Sequence, residues 1–445
     1  MSAATRDPMA RVPSQAAPLL YLATAHVALA VACAFAAYQP DAVVGFFAHS
    51  WTAALVHLIT LGWITGSIFG AFYIVGPLAL RMEMRARGMD YVAYALVTAG
   101  LAGMVVSLWI REHAGTAWAA ATVTCGALYM TSRILAEIRR AAVPAAVRLH
   151  IILACVNFWL AASMGVLIAV DRVAHVLPGP LFSNVIAHAH LAAIGWATMM
   201  VVGVGYRLLP MVLPSRMPSG RSLYASALLL EAGVLGLFAS LLLRSVAGRL
   251  FGAMIVAGLA VFLGHVVWML RHPAPRPAGA PRVDFAVLHA AAAGASLLAA
   301  VLLGLTLLMV PLSAQTLRAA SVYGVLGLVG FLAQMVAAME IRLLPMVTWC
   351  WAYASSGYRV PPPSPHAMRS RSLQVLGLAG WTIGVMALAA GFGFESAPLV
   401  RLGATALFAG VAAATLDHVS VLTGAFHAVR DGHSACISAT ADGHS

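Results

Sequence analysis

The chain has 445 residues, 62% of them hydrophobic and only 9% charged, with a mean hydropathy of +0.91. A soluble domain carries roughly a quarter charged residues, so a water-soluble fold would strand far too much apolar surface, and a soluble enzyme or nucleic-acid-binding domain is excluded. The formal charge is +12, carried by 26 basic residues that are all arginine. These arginines stand singly between apolar blocks, a topological pattern and not a binding face. Of the cysteines Cys33, Cys125, Cys155, Cys350 and Cys436, four lie in apolar runs and none forms a Cys-x-x-Cys pair. They read as small buried hydrophobes, not as a disulfide framework or a thiolate metal site.

A spanning helix needs about 20 mostly apolar residues. In chain order the hydropathy predicts spans near 18–38, 51–80, 91–111, 115–136, 148–171, 182–213, 222–243, 248–270, 284–310, 318–348, 372–392 and 398–420. The expected fold is an all-α polytopic membrane protein of about twelve helices in a single membrane domain. Arg6 and Arg11 precede the first apolar run, which is read as a retained helix because so many spans follow. With the N-terminus inside, 18 arginines fall on its side of the membrane, against six on the other (Arg111, Arg172, Arg244, Arg249, Arg318 and Arg401). The positive-inside rule therefore puts the N-terminus, and with an even number of spans the C-terminus, in the cytoplasm. A polar tail at 428–445, with His433, Cys436 and His444, is expected to be disordered.

The second span reads His57-Leu-Ile-Thr-Leu-Gly62-Trp63, followed by Gly70, Tyr73 and Pro77. The sixth reads His190-Leu-Ala-Ala-Ile-Gly195-Trp196, followed by Gly203, Tyr206 and Pro210, at a constant offset of 133. In the tenth, Gly330, Phe331 and Pro345 continue the series at an offset of 135, and Arg342-Leu-Leu-Pro-Met346 repeats Arg207-Leu-Leu-Pro-Met211. His26, Asn157 and His289 occupy comparable places one span earlier. Such self-similarity predicts three units of four helices, approximately 18–136, 148–270 and 284–420.

Histidine is costly in hydrocarbon and marks function or a protein-lined cavity. His57, His188 and His190 lie within spans, roughly 9–13 Å from the outer end at 1.5 Å per residue. If the units are related, His57 and His190 sit at one depth, where two imidazoles on facing helices can clasp a metal ion such as haem iron. His188 and His190, two apart on one helix, point to nearly opposite sides and suit two different metals. His26 and His289 are weaker ligand candidates. His150, His265 and His418 are read as helix-end groups, and the remaining histidines as solvated.

The segment Asn184-Val-Ile-Ala-His188-Ala-His190-Leu-Ala-Ala-Ile-Gly195-Trp196, with Tyr206 and Pro210 beyond it, resembles the haem-ligand helix of the haem–copper oxidase catalytic subunit. The closest similarity is to the C-type cytochrome oxidases and nitric oxide reductases. The resemblance implies twelve spans in pseudo-threefold array. It also implies one or two haem b groups, with His57 and His190 as axial ligands of a low-spin haem and His188 as proximal ligand of a second. It further implies electron transfer or chemistry or sensing of a small diatomic (NO or O2), a redox partner such as cytochrome c or quinol or accessory subunits, and a bacterial cytoplasmic membrane. This chain carries its H-x-H on the sixth span where the family has it on the tenth, and no three-histidine copper set is visible. Arg172 and Arg318 are the propionate candidates.

Glu231 and Glu340 fall within spans, as proton relays or partners of arginine. Arg207 and Arg342 are expected to snorkel to the inner interface. A membrane transporter, or an accessory protein handling copper or haem without redox catalysis, is the alternative reading of the same spans and histidines.

Overall fold

A computed structural model describes residues 13–44, 49–275, 283–311 and 313–441. Arg6, Arg11, Arg276, Arg282 and His444 fall outside these, as do the side chains of His433 and Cys436. The described residues are mostly helical and form no strand. Its long helices are α1 (Ala16–Tyr38), α2 (Ser50–Ala79), α3 (Gly88–Ile110), α4 (His113–Arg140), α5 (Ala145–Ala174) and α6 (Leu181–Val212). They continue with α7 (Ser222–Leu242), α8 (Gly248–Arg271), α9 (Phe285–Met309), α10 (Ala314–Ser355), α11 (Arg371–Gly393) and α12 (Ala397–Ala441).

Eleven of these helices are long and apolar enough to cross a membrane. The exception is α4, whose 28 residues are diluted by Thr116, Thr122 and Thr124 and end in Arg133, Glu137, Arg139 and Arg140. It is nonetheless packed between α3 and α5. Many large apolar side chains face outward, among them Val27, Val106, Leu228, Leu302, Met386 and Leu416. In water that would be an aggregation surface; in a bilayer it is the solvated face. Where sequence predicts disorder from 428, α12 runs on through Ala441.

One pairing scheme recurs along the chain. The first helix of each group packs on the second (α1 on α2, α5 on α6, α9 on α10), and the third on the fourth (α3 on α4, α7 on α8, α11 on α12). The second kind of hairpin closes in the same way each time. Arg111, Arg244 and Glu395 adopt left-handed φ of 60°, 53° and 51°. In each case the next amide donates back to a carbonyl five residues earlier, Glu112 to Ser107, Ser245 to Ser240 and Ser396 to Gly391, all at 2.8 Å. A left-handed residue just past the last turn lets the chain reverse while satisfying a terminal carbonyl.

The long helices α2, α6 and α10 each contain a π-helical stretch, at Leu58–Thr65, Leu191–Thr198 and Val325–Ala333. Every extra residue in a π turn rotates the following side chains by about 100° relative to an α-helix. The three stretches touch one another at the centre of the bundle. Trp63 Nε1 donates to the Ala333 carbonyl at 3.0 Å, and Trp196 Nε1 donates to Thr65 Oγ1 at 3.1 Å. Both indoles, and Phe331, are buried.

Gly62, Gly195 and Gly330 let α1, α5 and α9 approach these stretches. A Cβ on Gly62 would lie 2.5 Å from Ala28 Cβ, on Gly195 2.9 Å from Asn157 Cβ, and on Gly330 2.7 Å from Ser296 Oγ. Overpacking costs about 1–3 kcal/mol. Gly62→Leu is therefore expected to lower the unfolding temperature in detergent, while Gly264→Leu, at a site with nothing within 4 Å, leaves it nearly unchanged. Equal melting of the two variants would argue against this close approach.

Candidate functional site

His57 is the last α-helical residue of α2 before its π stretch, and His190 holds the same place in α6. Each ring is anchored to its own helix. His57 Nδ1 lies 2.7 Å from the Ala53 carbonyl and His190 Nδ1 2.9 Å from the Ile186 carbonyl. His188 instead reaches α5, with Nδ1 3.0 Å from the Ala161 carbonyl and its ring over Gly165.

A carbonyl oxygen only accepts, so Nδ1 must be the donor in all three rings. An imidazole without an ionic partner in an apolar bundle is neutral, so the lone pair stands on Nε2. No hydrogen bond among the described residues occupies any of these three Nε2 atoms. An imidazole held by an Nδ1–H bond to a carbonyl, with Nε2 free, is the usual preparation of a histidine for metal ligation. The residues present would therefore fit ligation of a metal such as haem iron.

His57 on α2 and His188 on α6 interact electrostatically. His190 stacks instead on Tyr323 of α10, with ring centres 6.1 Å apart and planes 20° apart. The two pairs occupy corresponding sequence positions. His57 and His190 are related by 190 − 57 = 133, and His188 and Tyr323 by 323 − 188 = 135, the two offsets of the glycine series. The tryptophan bonds obey the same relation in the opposite direction around the bundle: Thr65 and Ala333, their acceptors, are equivalent positions (198 − 65 = 133, 333 − 198 = 135).

The propionate candidates are engaged with other groups. Arg318 pairs with Glu395 at 2.9 Å, and Arg172 Nη2 is 3.4 Å from His113 Nε2. The two arginines read as snorkelling are held by protein groups. Arg207 Nε donates to the Ala79 carbonyl at 3.0 Å, and Arg342 is bonded to Asp284. Glu231 accepts from Asn157 Nδ2 at 2.7 Å.

His26 and His289 do not join the first three histidines. They border a second polar site, between α1, α9, α10, α11 and α12, together with Glu340 and His418. His418 is not a helix-end group, because α12 continues well past it and its ring is buried. Its role was illegible from sequence because His418 lies close to the apparent end of an apolar run, and nothing local shows that His26 faces it. Tyr323 was missed for a different reason: it carries no metal-ligand chemistry and is found only by extending the 135-residue offset to His188.

A larger apolar cavity of about 240 Å³ lies between α2, α6, α8, α9 and α10, walled by residues such as Phe72, Met200, Phe262 and Met335, with Glu340 at its edge. Glu340 is thus the shared wall of the apolar and the polar cavities. No protein-family model matches the chain, and none of the curated proteins is similar to it.

Proposed function

We propose that this chain is a haem b-binding membrane protein whose iron ligands come from His57, His188 and His190. It serves electron transfer, or the binding or conversion of a small diatomic gas. The observation that carries this reading is the set of three imidazoles with Nδ1–H tied to carbonyls and Nε2 free at one end of α2 and α6. His57 and His188 interact electrostatically, and that pair is assigned to one haem. His190, facing Tyr323, then serves a second haem on the other side of α6. Bound haem supplies a one-electron couple and, where an axial position stays open, a site for a diatomic. The protein's part is to orient the imidazoles through their carbonyl bonds and to keep water out with an apolar bundle.

The recurrent helix pairing, the three meeting π stretches and the cyclic tryptophan bonds support twelve spans built as three four-helix units. The arginine distribution supports a cytoplasmic N-terminus, which sets the three histidines toward the outer face of a bacterial cytoplasmic membrane. A cytochrome c or quinol donor, or accessory subunits, would approach there.

Oxidised and dithionite-reduced spectra of the detergent-purified protein, with a pyridine haemochrome assay, test the reading. One or two b-type haems per chain are expected. Folded protein without haem, from cells supplied with haem precursors, would replace this reading with transport.

A further inference from the structure

His26 on α1, Glu340 on α10 and His418 on α12 converge in the protein interior, far apart in sequence and each less than a tenth exposed. One nitrogen or oxygen from each lies within 4.8 Å of the others. We propose that these three side chains form a binding site for a first-row divalent metal ion of the iron(II) or zinc(II) class, separate from the histidines His57, His188 and His190. The proposal does not rest on the haem reading.

The proton arrangement is the strongest argument. Thr415 Oγ1 donates its hydrogen to the Val411 carbonyl at 2.8 Å, so toward His26 Nδ1, 2.7 Å away, it can only accept. Nδ1 is therefore the donor, and the neutral ring turns the Nε2 lone pair toward Glu340 Oε2 at 3.0 Å. A lone pair facing a carboxylate oxygen at that distance is repulsive unless a cation, a proton or a metal ion, lies between them. The second Glu340 oxygen, Oε1, and His418 Nε2 are both buried and unpartnered. Unsatisfied groups of this kind are rare in interiors and call for a missing partner.

Charge balance points the same way. Arg369, on the wall of this cavity, is already neutralised by Asp417, which takes its Nε at 2.8 Å and the Ser370 amide at 2.8 Å. Arg342 is neutralised by Asp284. Glu340 is left as the carboxylate of this region without an arginine, and a buried carboxylate requires a compensating cation. The cavity beside it measures about 20 Å³, room for a single water or ion and not for an organic ligand.

The donor set names the class of metal. Two imidazole nitrogens and one carboxylate oxygen are the ligands of open zinc sites and of non-haem iron(II). With bonds of about 2.0–2.2 Å, donor atoms separated by the observed 3.0 Å subtend about 90° at the metal. His418, with its donor within 4.8 Å of the other two, is the third ligand of a facial set. Thr415 orients His26 from behind, as outer-shell partners of metal-bound histidines do.

The test is a titration of the full-length, chelator-treated protein with cobalt(II), read by its d–d absorption, alongside metal analysis of the untreated protein with haem iron subtracted. The expected result is saturation at one cobalt per chain, and one equivalent of zinc or non-haem iron before chelation. Glu340→Gln and His418→Gln should lose these signals by at least tenfold while keeping monodispersity, melting behaviour and haem content. Absence of saturable cobalt bands in the wild type would overturn the proposal and leave a shared proton as the cation. So would bands that persist in both variants, since the metal would then sit elsewhere.

Discussion

On the proposed haem assignment, His57→Ala is expected to abolish a low-spin b-type spectrum, with the loss of one haem per chain. The Ala53 carbonyl that orients the ring remains, but the Nε2 ligand is lost. Of the two histidines on α6, the geometry predicts that His188→Ala gives the same spectrum as His57→Ala, because His188 is the imidazole within electrostatic range of His57. His190→Ala should instead spare that signal and remove a second, spectroscopically distinct haem. The opposite outcome, with His190→Ala copying His57→Ala, would restore the pairing expected from the repeat, in which residues at equal depth clasp one iron. Retention of both signals in His57→Ala would remove the haem assignment from this helix altogether.

Asp90→Ala is expected to destabilise the fold by about 3–5 kcal/mol, the cost of leaving a buried charge without its partner. Asp90 is fully buried near the start of α3. It accepts from the guanidinium of Arg133 on α4, from Tyr129 Oη at 2.9 Å and from the Arg87 amide at 2.8 Å. Arg133, itself buried, has one further acceptor in the Arg85 carbonyl at 3.0 Å. Removing the carboxylate leaves a guanidinium in an apolar hairpin with that single carbonyl for company. The double variant Asp90→Ala, Arg133→Met should recover much of the loss, because it removes the uncompensated charge along with its cause. Thermal or denaturant unfolding in detergent reads both. Additive losses in the double variant would show that the pair is not coupled.

The two polar sites differ in how far they could be read from sequence. His57 and His190 are visible because each begins the same run of glycine, tryptophan, tyrosine and proline, and the offset of 133 brings them into register. The H-x-H geometry likewise follows from helical periodicity, which sends neighbours two apart to opposite faces. That His57 interacts with His188 follows from neither pattern. It depends on how the long helices pack at the centre, where Trp63 and Trp196 make their hydrogen bonds. The π stretches were equally invisible. Leu58–Thr65 and its two counterparts are ordinary apolar sequence, and nothing in their composition marks the wider turn.

His418 marks the limit of local reasoning most clearly. Its sequence neighbourhood, Asp417 followed by His418 near the end of an apolar run, fits a helix terminus at an interface. In the folded chain Asp417 is consumed by Arg369, and His418 turns toward His26 and Glu340.

Composition and periodicity alone determined that this chain is helical and belongs in a bilayer, because a backbone in hydrocarbon must satisfy its own hydrogen bonds and apolar surface has nowhere else to go. Spacing alone determined that His57, Gly62 and Trp63 recur as His190, Gly195 and Trp196, because these offsets are read directly from the sequence. Only the tertiary structure decided which polar side chains share a site. The partners of Glu340 and of His57 lie on other helices, tens to hundreds of residues away, and their encounter is set by helix packing that no local pattern encodes.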